Sequence, residues 1–137
     1  MQNFNSSLVG IRVVRGWRAG GLHLNSILWT NDLRAVALGI STGIAGVVKE
    51  SDAIGPAIEA VRSGLVVRSF YSHQDLGISV SDHTAIALRA RAMDFEAIGL
   101  AVGYSSRQVR RRLAAICTRC GLAERELALL GTVMMRS

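Results

Sequence analysis

From Ile78 to Met134 apolar residues recur at three- and four-residue spacing, interrupted by polar clusters and glycine, and this pattern predicts helices throughout. Ser79-Val80-Ser81-Asp82 has capping-box spacing: the Ser79 hydroxyl serves the N–H near Asp82, and the Asp82 carboxylate reaches back. The helix it opens runs to about Ala92. A short helix, Phe95 to Val102, follows, and Gly103 suits the left-handed position that ends it. Ser105-Ser106-Arg107-Gln108 is a second capping box and opens a long helix to Cys120, which Gly121 ends. A last helix runs from Ala123 or Glu124 to about Met134. The pair of helices joined by Val102-Gly103-Tyr104-Ser105 makes a helix-turn-helix unit.

Upstream the period changes. Gly10 to Arg18 places Ile11, Val14 and Arg15 or Arg18 at helical spacing, with Ala19-Gly20-Gly21 as its stop. Leu24 to Thr30 is short, apolar and rich in large side chains, which suits a buried strand. Asn31-Asp32 can cap a helix through about Ile40, and Gly43 to Lys49 reads as a second buried strand. Ser51-Asp52 caps a helix that carries Pro56 in its first turns, where a missing N–H costs little, and that ends at Ser63-Gly64. Helix, strand, helix, strand, helix implies two parallel strands joined by crossovers. Leu65 to Gly77 has no clear period and is expected to be an ordered tether. The expected organisation is therefore a 1–64 α/β part with two parallel strands and three helices, a linker over 65–77, and an all-α four-helix part over 78–137.

Charge changes the picture. Sixteen basic and ten acidic residues give a net charge of +6, and Lys49 is the one base that is not arginine. Arg107, Arg110, Arg111 and Arg112 fall within six residues, and no acid lies between Glu96 and Glu124. A solvated charge run usually mixes signs, so this stretch points to a polyanionic partner. The two cysteines, Cys117 and Cys120, have no distant partner, which excludes a secreted disulfide scaffold and implies a reducing compartment. No charge-free stretch is long enough to span a bilayer, and no basic flank precedes an apolar run at the N-terminus. The expectation is a soluble cytoplasmic protein with no membrane partner.

In a helix-turn-helix the second helix enters the major groove while the first crosses the backbone. Ile98, Val102, Val109, Leu113 and Ile116 form one apolar face across both helices, and Gly99 is small where their axes must approach. The opposite face of the long helix carries Arg107, Gln108, Arg110, Arg111 and Thr118. Arg110 and Arg111 can reach guanine O6 and N7, Gln108 can read adenine or serve only as a cap, and Arg107 and Arg119 are better placed for phosphates. With Ser106 at the helix N-terminus, whose positive end favours a phosphate, the candidate DNA contacts are Ser106, Arg107, Gln108, Arg110, Arg111 and Arg119.

Residues 78 to 130 resemble the DNA-binding domain of LuxR-type (NarL/FixJ) transcription regulators. They align without a gap through Ile98, Gly103, Ser105, Val109-Arg110, Leu113, Ile116, Gly121 and Arg125. The resemblance implies a salt bridge between Asp82, in place of the family's first-helix glutamate, and Arg125. Arg112 stands where the family has histidine, Ala97 where it has glutamate and Gly99 where it has alanine. Gly10 to Gly64 is similar to the back half of a response-regulator receiver domain, with Thr30 matching its switch hydroxyl and Lys49 its lysine. The phosphoacceptor position then falls on Gln2, and without the receiver's carboxylates there is neither a magnesium site nor a nucleophile for phosphoryl transfer. The resemblance thus implies an α/β receiver remnant followed by a four-helix DNA-binding domain.

Cys117-Thr118-Arg119-Cys120 has redox-motif spacing, but it lies at a helix C-terminus, where a thiolate is not favoured, and core packing is the plainer reading. His23, His73 and His83 lack ligand spacing, so no metal, cofactor or catalytic residue is expected. The last helix carries Leu127, Leu129, Leu130, Val133, Met134 and Met135, more apolar residues than one core-facing stripe needs. Leu127, Leu130 and Met134 are the candidate dimer interface. The expected function is sequence-specific, double-stranded-DNA-binding transcriptional regulation by a homodimer, independent of aspartyl phosphorylation. The alternative is an antagonist that heterodimerises with a full-length response regulator; base-specific DNA binding by the isolated protein separates the two.

Overall fold

The computed structural model describes residues 3–4, 12–15 and 26–135, with side chains from Ser26 onward. The chain divides between Ser69 and Phe70 into two compact units. The first is mixed α/β. Among the described residues its sheet has five strands in sequence order: β1 (Asn3–Phe4), β2 (Arg12–Arg15), β3 (Ser26–Trp29), β4 (Gly46–Val48) and β5 (Val67–Arg68). The pairs β1–β2 and β2–β3 are antiparallel, and β3–β4 and β4–β5 are parallel.

This arrangement corrects the sequence reading in three places. Arg12–Arg15, expected within a helix, is a strand in register with Ser26–Trp29. Its centre is Val13-Val14, and side chains branched at Cβ lose rotamer freedom in a helix and fit a pleated sheet. The rest of that expected helix lies outside the described residues. The parallel strands number three, because the stretch expected as a tether supplies β5. And Asp52 caps nothing: α2 (Ile54–Arg62) begins from Ala53 without a side-chain cap, while the Asp52 carboxylate accepts a hydrogen bond from the Ser69 hydroxyl at 2.7 Å. The helix expected after Asn31-Asp32 is α1 (Leu33–Ser41), with Asp32 accepting from the Ala35 N–H at 2.9 Å.

The strand period of two sets the layers. Ile27 and Val48 bury against Ala57 and Val61 of α2, whereas Leu28 buries with Ala35 of α1. Helices therefore cover both faces of the parallel strands, consistent with their near-continuous apolar runs. At the strand ends Thr30 is fully buried and its hydroxyl accepts from the Asp32 N–H at 2.9 Å. Asn31 Oδ1 accepts from the Glu50 N–H, and Ser69 Oγ accepts from the Lys49 N–H.

The second unit is helical: α3 (His73–Leu76), α4 (Val80–Ala90), α5 (Phe95–Val102), α6 (Ser106–Cys120) and α7 (Glu124–Gly131). Its boundaries follow the caps read from the sequence. Ser105 and Gln108 form the reciprocal box at the start of α6, and Gly103 and Gly121, both left-handed, end α5 and α6. Helix α3 departs from the expected tether; Ser72 and Asp75 give it a capping box of its own. Ser79 caps α4 as expected, but Asp82 does not reach back, because its carboxylate is engaged elsewhere.

Helix α7 is shorter than expected, and its leucines lie inside the unit. Leu127, Leu130 and Met134 are 3%, 0% and 3% exposed, which overturns their assignment to a dimer interface. The surplus of apolar residues has a local cause: after α7 ends, Val133 and Met134 turn back into the core, and the Val133 carbonyl accepts from the N–H of fully buried Tyr71 at 2.8 Å. Among the described residues no helix is long and apolar enough to cross a membrane.

Candidate nucleic-acid interface

Helices α5 and α6 meet across a three-residue turn whose geometry one glycine permits. A Cβ on Gly99 would lie 2.3 Å from the backbone oxygen of Tyr104, so only glycine lets the turn close this tightly. The Gly99 carbonyl accepts from the N–H groups of Gly103 and Tyr104 at 2.8 and 2.9 Å. Ile98 of α5 and Val109, Leu113 and Ile116 of α6 are buried together in the core of the unit, which fixes the opposite side of α6 toward solvent.

One arginine pair ties α6 to α4, and a second arginine ties α4 to its other neighbours. Arg112 forms a two-pronged pair with Asp82 of α4, Nε to Oδ1 at 2.8 Å and Nη2 to Oδ2 at 3.1 Å, and lies 5.1 Å from the centroid of the Tyr104 ring. The expected Asp82–Arg125 bridge is therefore replaced by Asp82–Arg112, and Arg125 is exposed. Hydrogen bonding to Asp82, then its charge, pushes the Arg112 guanidinium above its ordinary range. At the other flank Arg89 of α4 lies 4.5 Å from the Phe95 ring, donates to the Met93 carbonyl at 2.9 Å and pairs with Glu124 at 3.3 Å. Arg110 leans onto the same ring at 5.1 Å.

The outward face of α6 follows by subtraction. Ser106, Arg107, Arg111, Ala114, Ala115, Thr118 and Arg119 are exposed. Arg107 and Arg111 are one helical turn apart on this face. Arg110 is exposed as well, about 100° round the helix from Arg111, at the margin of this face where it leans onto Phe95 of α5. Among the described residues neither Arg107, Arg111 nor Arg119 has an acidic partner. Like charges at this spacing destabilise a helix by about 0.2–0.5 kcal/mol, a cost that a bound polyanion would remove. Gln108 is exposed, yet its Oε1 accepts from the Ser105 N–H at 2.8 Å, which commits one of the oxygen's two lone pairs and fixes the side chain over the helix N-terminus.

Sequence reasoning missed the Asp82–Arg112 pair. A helical projection carried the signal: Arg112 falls beside the Val109–Leu113–Ile116 stripe, not opposite it, so its side chain had to meet a neighbouring helix. Replacing Arg112 by methionine keeps the stem and removes the fork. We expect a loss of about 1 kcal/mol, small because the pair is partly exposed. Thermal unfolding of Arg112→Met, Asp82→Asn and the double variant should show the losses to be non-additive; full additivity would mean that the pair contributes nothing.

Compared with protein-family models, curated proteins and solved structures, the chain has no match in any of the three.

Proposed function

We propose that the chain is a sequence-specific DNA-binding regulator whose α5–turn–α6 unit works as a helix-turn-helix, without aspartyl phosphorylation. The observation that carries the reading is the outward face of α6, where Arg107 and Arg111 stand exposed and unopposed by any described acid. Arginine's fork matches guanine O6 and N7 in the major groove. Ala114 and Ala115 beside them are small enough to let the helix axis approach the base edges, and a methyl group there suits thymine. Arg110 and Arg119, at the two margins of the face, suit phosphates, which set register and carry no sequence information.

A homodimer belongs to this reading through the sheet-bearing unit, where Leu65 and Val66, 59% and 69% exposed, flank β5 at the edge of the described sheet. A two-fold pair would put two recognition helices on half-sites about one helical turn apart. Selection of bound duplexes from a random pool tests the proposal. Enrichment of an inverted repeat supports both parts, and a single unrepeated motif supports DNA recognition by a monomer. Retention of all sequences alike would contradict the reading and favour the heterodimerising antagonist.

A further inference from the structure

Phe95 is the first residue of α5, and its backbone is fixed by the Asp94 cap, whose carboxylate accepts from the Ala97 N–H at 2.8 Å. Its half-buried ring meets two guanidiniums from different helices, Arg89 of α4 at 4.5 Å and Arg110 of α6 at 5.1 Å from the centroid. The two differ in what else holds them. Arg89 also donates to the Met93 carbonyl and pairs with Glu124, so its place does not depend on the ring. Arg110 is exposed and makes no hydrogen bond or ion pair among the described residues, so the ring is what positions it.

The backbone of α6 leaves the choice of reading arginines open. Ser106, Arg110 and Ala114 follow one another at four-residue spacing, and so do Arg107, Arg111 and Ala115, so each row offers an exposed arginine beside an exposed alanine. Of Arg107, Arg110 and Arg111, Arg110 alone has an aromatic ring against it among the described residues. We propose that Phe95 sets the specificity of the α6 face as a positioning residue, holding Arg110 at the margin for backbone phosphates and leaving base reading to Arg107 and Arg111. The inference rests on the DNA reading above. An aromatic face attracts a cation through its quadrupole, and at an exposed site this biases the side chain by a factor of about two to five. Reading a guanine with Arg110 gives up the ring and carries that penalty, which a contact at the margin avoids.

Parallel selections from one random duplex pool, by the full wild-type chain and by Phe95→Leu, test the assignment, because leucine keeps the apolar bulk and removes the ring. Phe95→Leu should select the wild-type motif plus one more guanine, enriched about two- to fivefold over wild type. Adding Arg110→Ala should remove that gain. Phe95→Tyr restores a ring and should select as the wild type does. In the free chain the Arg110 Nε–H resonance should carry a ring-current shift that Phe95→Leu abolishes and Phe95→Tyr keeps, with circular dichroism checking that each variant is helical. An Arg110 resonance unmoved by Phe95→Leu, a selective wild type whose motif that variant leaves unchanged, or a gained guanine that survives Arg110→Ala would overturn this inference alone. Retention of all sequences alike by the wild type would overturn the DNA reading and the inference with it.

Discussion

Alanine at Gly99 is expected to destabilise the helical unit by about 2–3 kcal/mol and to lower its melting temperature by about 10–20 °C. The added methyl would meet the Tyr104 carbonyl oxygen at 2.3 Å and the backbone carbons of Tyr104 and Ser105 at 3.3 Å. Backbone cannot swing aside as a flexible side chain does, so either the α5–α6 turn opens or the helices separate. Both strain the Gly103 and Tyr104 hydrogen bonds to the Gly99 carbonyl. Gly55 is the control. It lies in the first turn of α2 directly before Pro56, and a methyl added there would meet nothing within 4 Å beyond its chain neighbours. The gain in helix propensity opposes the crowding of a Cβ before proline, so alanine should stay within about 0.5 kcal/mol of the wild type. Thermal unfolding of both variants decides the point, and a Gly99→Ala curve superimposable on the wild type would contradict the tight turn.

The second large effect is on DNA. Alanine at Arg107 and Arg111 together should cost about 2–6 kcal/mol on a selected site, from about 1–3 kcal/mol for each base contact, and should flatten the preference among sequences. Alanine at Arg110 or Arg119 should weaken all duplexes alike and lower the slope of log K against log salt by about one unit each. Fluorescence anisotropy over a salt series separates the two behaviours. Should Arg110→Ala relax specificity while Arg107→Ala does not, the side chain leaves Phe95 on binding and the outward row is Arg110–Arg111.

The helical unit was legible because its instructions are local. Ser105 with Gln108, Gly103 and Gly121 each fix one helix end through contacts within four residues, and all three stand where the pattern put them. The sheet was less legible, since strands of two to four residues carry too few positions for a period to declare itself. Val13-Val14 fits two templates, and only pairing with Ile27 and Leu28 settles it. Partners distant in the chain were the other gap. Asp82 looks like a capping residue until Arg112, thirty positions away, takes its carboxylate, and Leu127 and Leu130 look like surplus until the turn after α7 brings Val133 back toward Tyr71. Of the candidate contacts, the arginines were found by charge alone. Which of them face outward required the flanking helices, because Phe95 draws Arg110 aside and Asp82 draws Arg112.

The most direct test of the central claim is a titration of the ¹⁵N-labelled full chain with a selected duplex, followed residue by residue through its amide and arginine side-chain resonances. The largest shifts are expected on Ser106, Arg107, Arg111, Ala114 and Ala115, with smaller ones at Arg110 and Arg119 and almost none at Arg112, which stays on Asp82. Shifts concentrated in the sheet-bearing unit, with the outward face of α6 unmoved, would contradict that claim.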